Sequence, residues 1–318
     1  MKLNNSETLK KVKSGGIIYI IFVLLIGFFW IMLGNTFVSF DNILTILRQT
    51  AMISIMAIGM TFALSTGEID LSVDSIIAFA AITTAMVLRA TDNIILSVLA
   101  GIGIGVAIGF FNGAIVAWIK VPSFLVTLAS MGIIGGLSRW ITKNQAIAIG
   151  NDTYNNIFGS GDLGFVPGLF VWTFFVTVVG YLALKKTAFG KRIIATGGNE
   201  IAAIYTGINT RIIKLKALII SSTSAALAGM LYAGRMHGAR YTMGEGFALS
   251  VIAATVIGGT ALYGGKGSII GSLIGALVIG IINNGLILMG FNVSQQMVFK
   301  GIILIVAISI NTQMELKR

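Results

Sequence analysis

Three carboxylates, Glu68, Asp70 and Asp74, stand within seven residues of each other in the run STGEIDLSVDS. Together with Ser72, they allow three kinds of chemistry. They could hold a cation or proton in a coupled carrier, since ionisable groups at membrane depth are costly and usually functional. They could form a polar gate on a translocation path. Or they could sit in a turn and cap a helix starting near Ser75, accepting from its free N–H groups. A second polar break, Gly258-Gly259 followed by Gly264-Gly265-Lys266-Gly267-Ser268, resembles a phosphate loop only superficially. A Walker loop needs a glycine five positions before Gly265, where Thr260 stands, and Ser or Thr after the lysine, where Gly267 stands. No strand pattern precedes it, so the glycines are read as a tight break and any ATP must be handled by another chain. Asn283 and Asn284 interrupt an apolar run and must either hydrogen-bond between helices or line a polar path. His237 is the only histidine and there is no cysteine, which removes Ser-His-Asp catalysis, thiol nucleophiles and cysteine metal sites. No catalytic, cofactor-binding or metal residue is assigned.

The elements that must position these residues follow from composition. The chain has 318 residues, 56% hydrophobic and only 10% charged, whereas a soluble domain is about a quarter charged. Forty glycines suit membrane helices, which approach closely through small residues. A span needs about twenty mostly apolar residues. On that measure the chain is an all-α polytopic membrane protein, a single transmembrane domain over 1–318 with about ten spans. The expected spans are 17–36, 43–64, 75–89, 94–118, 122–141, 168–184, 217–234, 247–263, 268–290 and 297–311, the third and eighth being short. The start, Lys10, Lys11 and Lys13 ahead of Ile17–Leu33, reads as a retained first span rather than a cleaved leader.

Net charge is +11, and the cations cluster. Placing both termini in the cytoplasm puts 15 of the 22 Lys and Arg inside, among them Lys2, Lys120, Lys266, Lys317 and Arg318. This arrangement makes 1–16 a cytoplasmic tail, 142–167 an ordered external loop without a helical stripe, and 185–216 a cytoplasmic loop. It also accounts for the basic excess without nucleic acid. Arg48, Arg89, Arg139 and Lys300 lie near outer span ends, where snorkelling to headgroups explains them. A weak repeat is visible between GMTFALSTGEIDLS from Gly59 and GGTALYGGKGSIIG from Gly258; in this topology its two copies are parallel.

The 185–216 loop holds seven Lys or Arg against Glu200 alone, and Gly198-Asn199-Glu200 opens a short helix in IAAIYTGI. A structured helix displayed on the cytoplasmic face is suited to receive the push of an ATPase.

Three segments, MAIGMTFALSTGEIDLSVDS (56–75), KTAFGKRIIATGGNEIAAIYTGIN (186–209) and IAATVIGGTALYGGKGSIIGSLIGALVIGIINNGLILMG (252–290), resemble the membrane subunit of bacterial monosaccharide ABC importers of the ribose type. Order and spacing hold over nearly the whole chain. The resemblance implies a pair of permeases, most simply a homodimer, over two ATPase chains that bind ATP and Mg. A periplasmic or lipid-anchored sugar-binding protein would feed them, and the location would be the cell inner membrane. It implies that Phe189, Gly190 and Arg192 set the approach of a coupling region, that Gly197, Gly198 and Asn199 shape the start of its helix, and that Glu200, Ala202 and Ala203 face an ATPase groove. The polar breaks and the mid-span amides themselves offer a translocation path or gate at Asp70, Ser72, Asp74, Gly258, Gly259, Gly264, Gly265, Asn283 and Asn284. The chain departs from the family's usual G-I-D-L-S-V-G-S in carrying Glu68 before Ile69 and Asp74 in place of a glycine, and Ser250 stands where sugar-type members often have an acid. The expected activity is import of a neutral sugar such as ribose by alternating access. Its rivals are an ion-coupled carrier using Asp70 and a branched-chain amino-acid ABC permease.

Overall fold

Gly101, Gly105, Gly109 and Gly113 fall four residues apart, so in a helix they form one smooth stripe. That stripe determines the centre of the molecule. In the computed structural model, which describes residues 5–316, the helix Ile94–Ala114 lays it against the long helix Thr210–Met236. Ideal Cβ atoms at Gly105 and Gly109 would come within 2.6 Å of the Ala226 Cβ and 2.7 Å of the Ile219 Cα. Backbones meet this closely because lipid gives helices no hydrophobic reason to associate, leaving contact and hydrogen bonds to do so.

In chain order the helices are α1 Asn5–Leu33, α2 Asn35–Val38, α3 Phe40–Ser65, α4 Val73–Thr91, α5 Ile94–Ala114, α6 Ser123–Thr142, α7 Asp152–Asn155, α8 Gly168–Lys186, α9 Ala188–Gly198, α10 Glu200–Tyr205, α11 Thr210–Met236, α12 Phe247–Ile257, α13 Ile269–Leu288 and α14 Val293–Leu316. A π-helical turn, Ile115–Ile119, extends α5. α11 is the hub, walled by α3, α4 and α5, while α3 in turn packs on α8, α12 and α13. The core is built from small and β-branched residues, with Ala225, Ala226 and Ala228 of α11 against Ile76, Ile77 and Ala80 of α4, all buried.

A helix lies at each of the ten expected places, but the length and composition differ from expectation. Among the described residues, seven helices are long and apolar enough to cross a membrane: α3, α4, α5 with its π turn, α6, α8, α11 and α13. The eighth expected span, 247–263, is a correction. α12 stops at Ile257 after 11 residues, about 16 Å at 1.5 Å per residue, which is half a bilayer. The third expected span is longer than thought, 19 residues in α4. α1 begins within the supposed tail, at Asn5. Lys2, Lys317 and Arg318 lie outside the described residues.

The 142–167 segment is ordered as expected, though not without helix. It holds α7, the π turn Asn156–Ser160, and the strands β1 Ile147–Ala148, β2 Asp162–Leu163 and β3 Val166–Pro167. β1 pairs antiparallel with β4, Gly238–Ala239, so this segment and the connection from α11 to α12 form one surface. Tyr154 anchors it: fully buried, it donates its hydroxyl to the Met230 carbonyl at 2.9 Å, and Phe158 and Trp172 stack beyond it. Arg48 and Arg139 do not simply snorkel. Arg48 pairs with Asp162 at 2.6 Å, and Arg139 pairs with Glu245 and lies over the Tyr241 ring at 4.9 Å.

The glycine stripe supports a comparison of neighbours on α5. Gly105→Leu has no space against Ala226 and the Ser222 carbonyl, whereas Gly103 faces open space. Overpacking of this kind costs about 1–3 kcal/mol. In purified protein, the temperature of aggregation on heating falls for Gly105→Leu and is unchanged for Gly103→Leu; equal values would mean α5 does not seat on α11 through this stripe.

Candidate functional site

The first polar break begins where α3 ends at Ser65 and lasts until α4 begins at Val73. Its depth can be read along α11. Glu68 pairs with Lys214 near the start of α11, Asp70 accepts from Ser222, and Gly229 lies against the Ile77 carbonyl. Ser222 is about 18 Å along a helix of about 40 Å. The chain therefore turns at Gly67 and climbs in irregular form to mid-depth before α4 starts. Backbone groups that leave a helix inside a membrane protein must find other partners. Here the Ile69 and Leu71 N–H groups donate to Ser123 Oγ (3.0 Å) and Thr127 Oγ1 (3.1 Å), and Thr127 Oγ1 donates back to the Ile69 carbonyl. α6 is thus the side wall of the break.

Each of the three carboxylates has its own partner. Asp70 is fully buried; its Oδ1 accepts from the Ser72 N–H at 3.1 Å and from the Ser72 hydroxyl, and its Oδ2 from Ser222 at 3.1 Å. Ser72 Oγ in turn accepts from Asn112 Nδ2 at 3.0 Å, and Ser130 donates to Asn112 Oδ1. The result is a neutral hydroxyl and amide network around one acid. Asp74 caps a helix, but not its own. It accepts from the Gly246 N–H at 3.0 Å and from the Ala248 N–H, which are the free donors at the start of the half-helix α12. Those donors also carry the positive end of the helix dipole. Glu68 caps nothing; it meets Lys214 Nζ at 2.9 Å. Among the described residues no group of three His, Cys, Asp or Glu could hold a metal.

The second break, 258–268, returns the chain from α12 to α13. Gly258 packs on the backbone of Gly271, and Gly259, Gly264 and Gly265 all have positive φ (86°, 92° and 77°). At Gly264 and Gly265 that conformation brings the backbone against the first break and α9. Gly265 N donates to the Ser65 carbonyl at 3.1 Å, and a Cβ on Gly264 would stand 2.9 Å from the Gly67 nitrogen. Sequence spacing gave no sign that the two breaks touch. Asn283 and Asn284 are elsewhere, well up α13. Asn284 exchanges amide hydrogen bonds with Asn42 of α3 (3.1 and 2.9 Å), and Asn283 Oδ1 has no partner among the described residues. Neither joins the break cluster.

The basic loop supplies the third part. α9 is capped by Thr187, whose hydroxyl accepts from Gly190 N, and Gly190 sits so tightly on the Leu184 carbonyl that a side chain would overlap it. Phe189 stacks on Phe62 of α3, centroids 6.4 Å apart, within an apolar cluster that includes Ile193, Leu184, Ile213 and Ile269. Asn199 ends α9 and caps α10, its Oδ1 accepting from Ala202 N at 2.9 Å. Gly197 occupies the joint between everything described so far. A Cβ there would overlap the Ser65 carbonyl and come within 2.7 Å of Gly265 N, while at Gly198 the nearest atom is 3.7 Å away. Lys214 closes the other side, joining Glu200 (2.8 Å) to Glu68 (2.9 Å). Burial would raise the Glu200 pKa, but the Lys214 hydrogen bond and charge outweigh it, so this carboxyl is held below its ordinary value. The sign follows: the link is fully formed above the ordinary carboxylate pKa and is lost only as pH falls through the lowered one.

One coupling residue must be corrected. Ala203 is buried against this chain and faces no groove. The outward surface of α10 consists of Ile201, Ile204 and Tyr205 (68, 54 and 87% exposed), beside exposed Glu200 and Ala202. The sequence offered a signal for them, since bulky apolar residues flank the alanines in EIAAIY. Arg192 is exposed on α9 and lines a cavity with Lys216.

The joint predicts a contrast between neighbours. Gly197→Val forces α9 off both breaks, so substrate uptake falls to background in cells although the protein still reaches the membrane, while Gly198→Ala transports at close to the normal rate. Normal uptake by Gly197→Val would show that the three segments do not work in contact.

Comparison with known proteins places the chain in a family. The model of the family described as "Branched-chain amino acid transport system / permease component" matches residues 42–308. The ribose import permease protein of Haemophilus influenzae is 39% identical over 280 residues, 87% of each chain. That of Bacillus subtilis is 38% identical over 278 residues, 87% of this chain and 86% of its own. The galactofuranose transporter permease protein of Escherichia coli is 35% identical over 275 residues, 86% of this chain and 80% of its own. No solved structure matches. The chain belongs to the branched-chain amino acid transport system permease family, as a multi-pass membrane permease of that group.

Proposed function

We propose that this chain is the permease subunit of an ATP-driven importer of a monosaccharide, ribose or a related sugar, in the bacterial inner membrane. The observation that carries the reading is the joint at Gly197, where a helix pair on the basic face rests on both polar breaks at once. A push on α10 reaches Ser65 and Gly265 through backbone contacts that cannot compress, and so shifts the inner ends of α3, α12 and α13 together. ATP and Mg are bound by partner ATPase chains; this chain supplies only the mechanical receiver. Exposed Ile201, Ile204 and Tyr205 form an apolar knob suited to a groove on such a partner. The coupling roles of Phe189, Gly190, Gly197, Gly198, Asn199, Glu200 and Ala202 are read as positioning that knob, and Arg192 as lying beside it.

The sugar's route is assigned to the region of Asp70, Ser72 and Asp74 and the glycines of the second break. Hydroxyls and amides there suit a neutral polyol better than an ion. The family includes amino-acid permeases by its description, but the sugar permeases named above are similar over nearly the whole chain, which favours a sugar. Ten spans with both termini inside remain the preferred topology, with α12 completing a crossing only together with the run of turns at 241–246 before it. The parallel repeat is supported by direction: α3 and α12 run side by side the same way, with Ala57 near Thr255 and Ser65 near Gly265, and each leads into a break. A second permease copy and a soluble sugar-binding protein on the Tyr154-anchored face complete the assembly.

Replacing Ile201 and Tyr205 by serine removes two anchors that barely touch this chain. Co-purification of the ATPase is expected to weaken about thirtyfold or more, the scale of losing an interface hot spot, while expression is unchanged. ATP-loaded proteoliposomes of the full complex then import labelled ribose with wild-type permease and not with this variant. Uptake by this chain alone under a sodium or proton gradient would establish the carrier alternative instead.

A further inference from the structure

Of the seven cations between 185 and 216, only Lys214 has an acidic partner among the described residues. Two of the other six, Arg192 on α9 and Lys216 on α11, line the same cavity of about 580 Å³. No carboxylate lines it. The rest of its wall is Phe189, Ile212, Ile213, Ile219 and Ile220 with the turn Gly207-Ile208-Asn209. Measured along α11, Lys216 lies about 9 Å from Thr210 and Ile219–Ile220 about 15 Å. The charged end is therefore at the loop and the apolar end deeper among the spans. The flank of α11 that bears Ile212, Ile219 and Ile220 is only partly covered, bordered by α5, whose Gly109 meets the Ile219 Cα, and by α3, whose Gly59 meets the Ile220 carbonyl.

We propose that this cavity is a seat for one anionic phospholipid. Its phosphate lies against the Arg192 guanidinium, whose planar fork matches phosphate oxygens, and against the Lys216 ammonium. One acyl chain runs along Ile219 and Ile220. Basic pockets between helices on the cytoplasmic side are suited to such headgroups, and the juxtaposed cations favour the anionic class over the zwitterionic. A soluble phosphate would gain nothing from the isoleucines. An ATPase meeting the tip of α10 would have no reason to reach the depth of Ile219, and a second copy would have to bring an acid there. The seat joins α9 to α11 at the root of the coupling pair, so the lipid becomes part of the joint's outer wall. This inference stands apart from the transported sugar: it concerns what holds the basic segment, whichever solute is carried.

The test is native mass spectrometry of the purified complex after incubation with phosphatidylglycerol or phosphatidylcholine. Wild type retains phosphatidylglycerol in preference. Arg192→Glu with Lys216→Glu lowers that retention by more than about thirtyfold, since loss of each cation near an anionic headgroup is alone worth about fivefold. Phosphatidylcholine retention stays the same, and Lys143→Glu on the opposite face changes nothing. Should the reversed pair fail to insert, Arg192→Gln with Lys216→Gln carries the same readout with a smaller drop. Equal phosphatidylglycerol retention in variant and wild type overturns the proposal. So does a disulfide-linked dimer from Ile219→Cys in this otherwise cysteine-free chain, since a second copy would then occupy the flank.

Discussion

The structure depends on one close approach of backbone to backbone, where Gly197 of α9 rests on the Ser65 carbonyl and the Gly265 nitrogen. A contact between main chains cannot relax through a rotamer, so it passes displacement where a side-chain contact would absorb it. The surrounding features preserve that contact. Phe189 on Phe62 fixes the angle of α9, Asn199 starts α10 at once, and Lys214 ties Glu200 to Glu68 so that the far end of the pair is held as well. Positive φ at Gly264 and Gly265 folds the second break inward to meet it.

The same contact explains why the spans are broken. A continuous helix through 66–72 or 258–268 would present side chains and a closed backbone ladder. An interrupted one presents free N–H and C=O groups that another segment can engage. The cost is that those groups must be satisfied elsewhere at depth, and the hydroxyls of Ser123 and Thr127 and the Asp70 carboxylate do so. Asp74 performs the matching task for the half-helix α12. The membrane interior is thus joined by short polar links between elements that the glycine stripe of α5 and the hub α11 hold in place.

Much of this could be read in the sequence. Apolar helices, the basic cluster, the ordered 142–167 segment and the helix starting at Glu200 follow from hydropathy, charge and an Asn cap, all of which are local signals. The missed features are non-local. The half-length of α12 was hidden because ALYGG continues its apolar run, so hydropathy could not show where the helix ended. That Asp74 caps a helix more than 170 residues away is invisible to spacing, and its position before Ser75 made the nearer helix the natural choice. The family resemblance turns Ala203 outward with Ala202, yet a small residue equally suits burial. The bulky Ile201 and Tyr205 beside it form the exposed face.

If the joint is rigid, α10 and the second break move as one body. Spin labels on cysteines at Ile201 and Tyr263, both exposed, report that directly by pulsed distance measurement on the full complex. The account predicts the same Ile201–Tyr263 distance with and without trapped ATP, while the distance from Ile201 to Ile157 on the opposite face changes. A change in the Ile201–Tyr263 distance between the two states would contradict it.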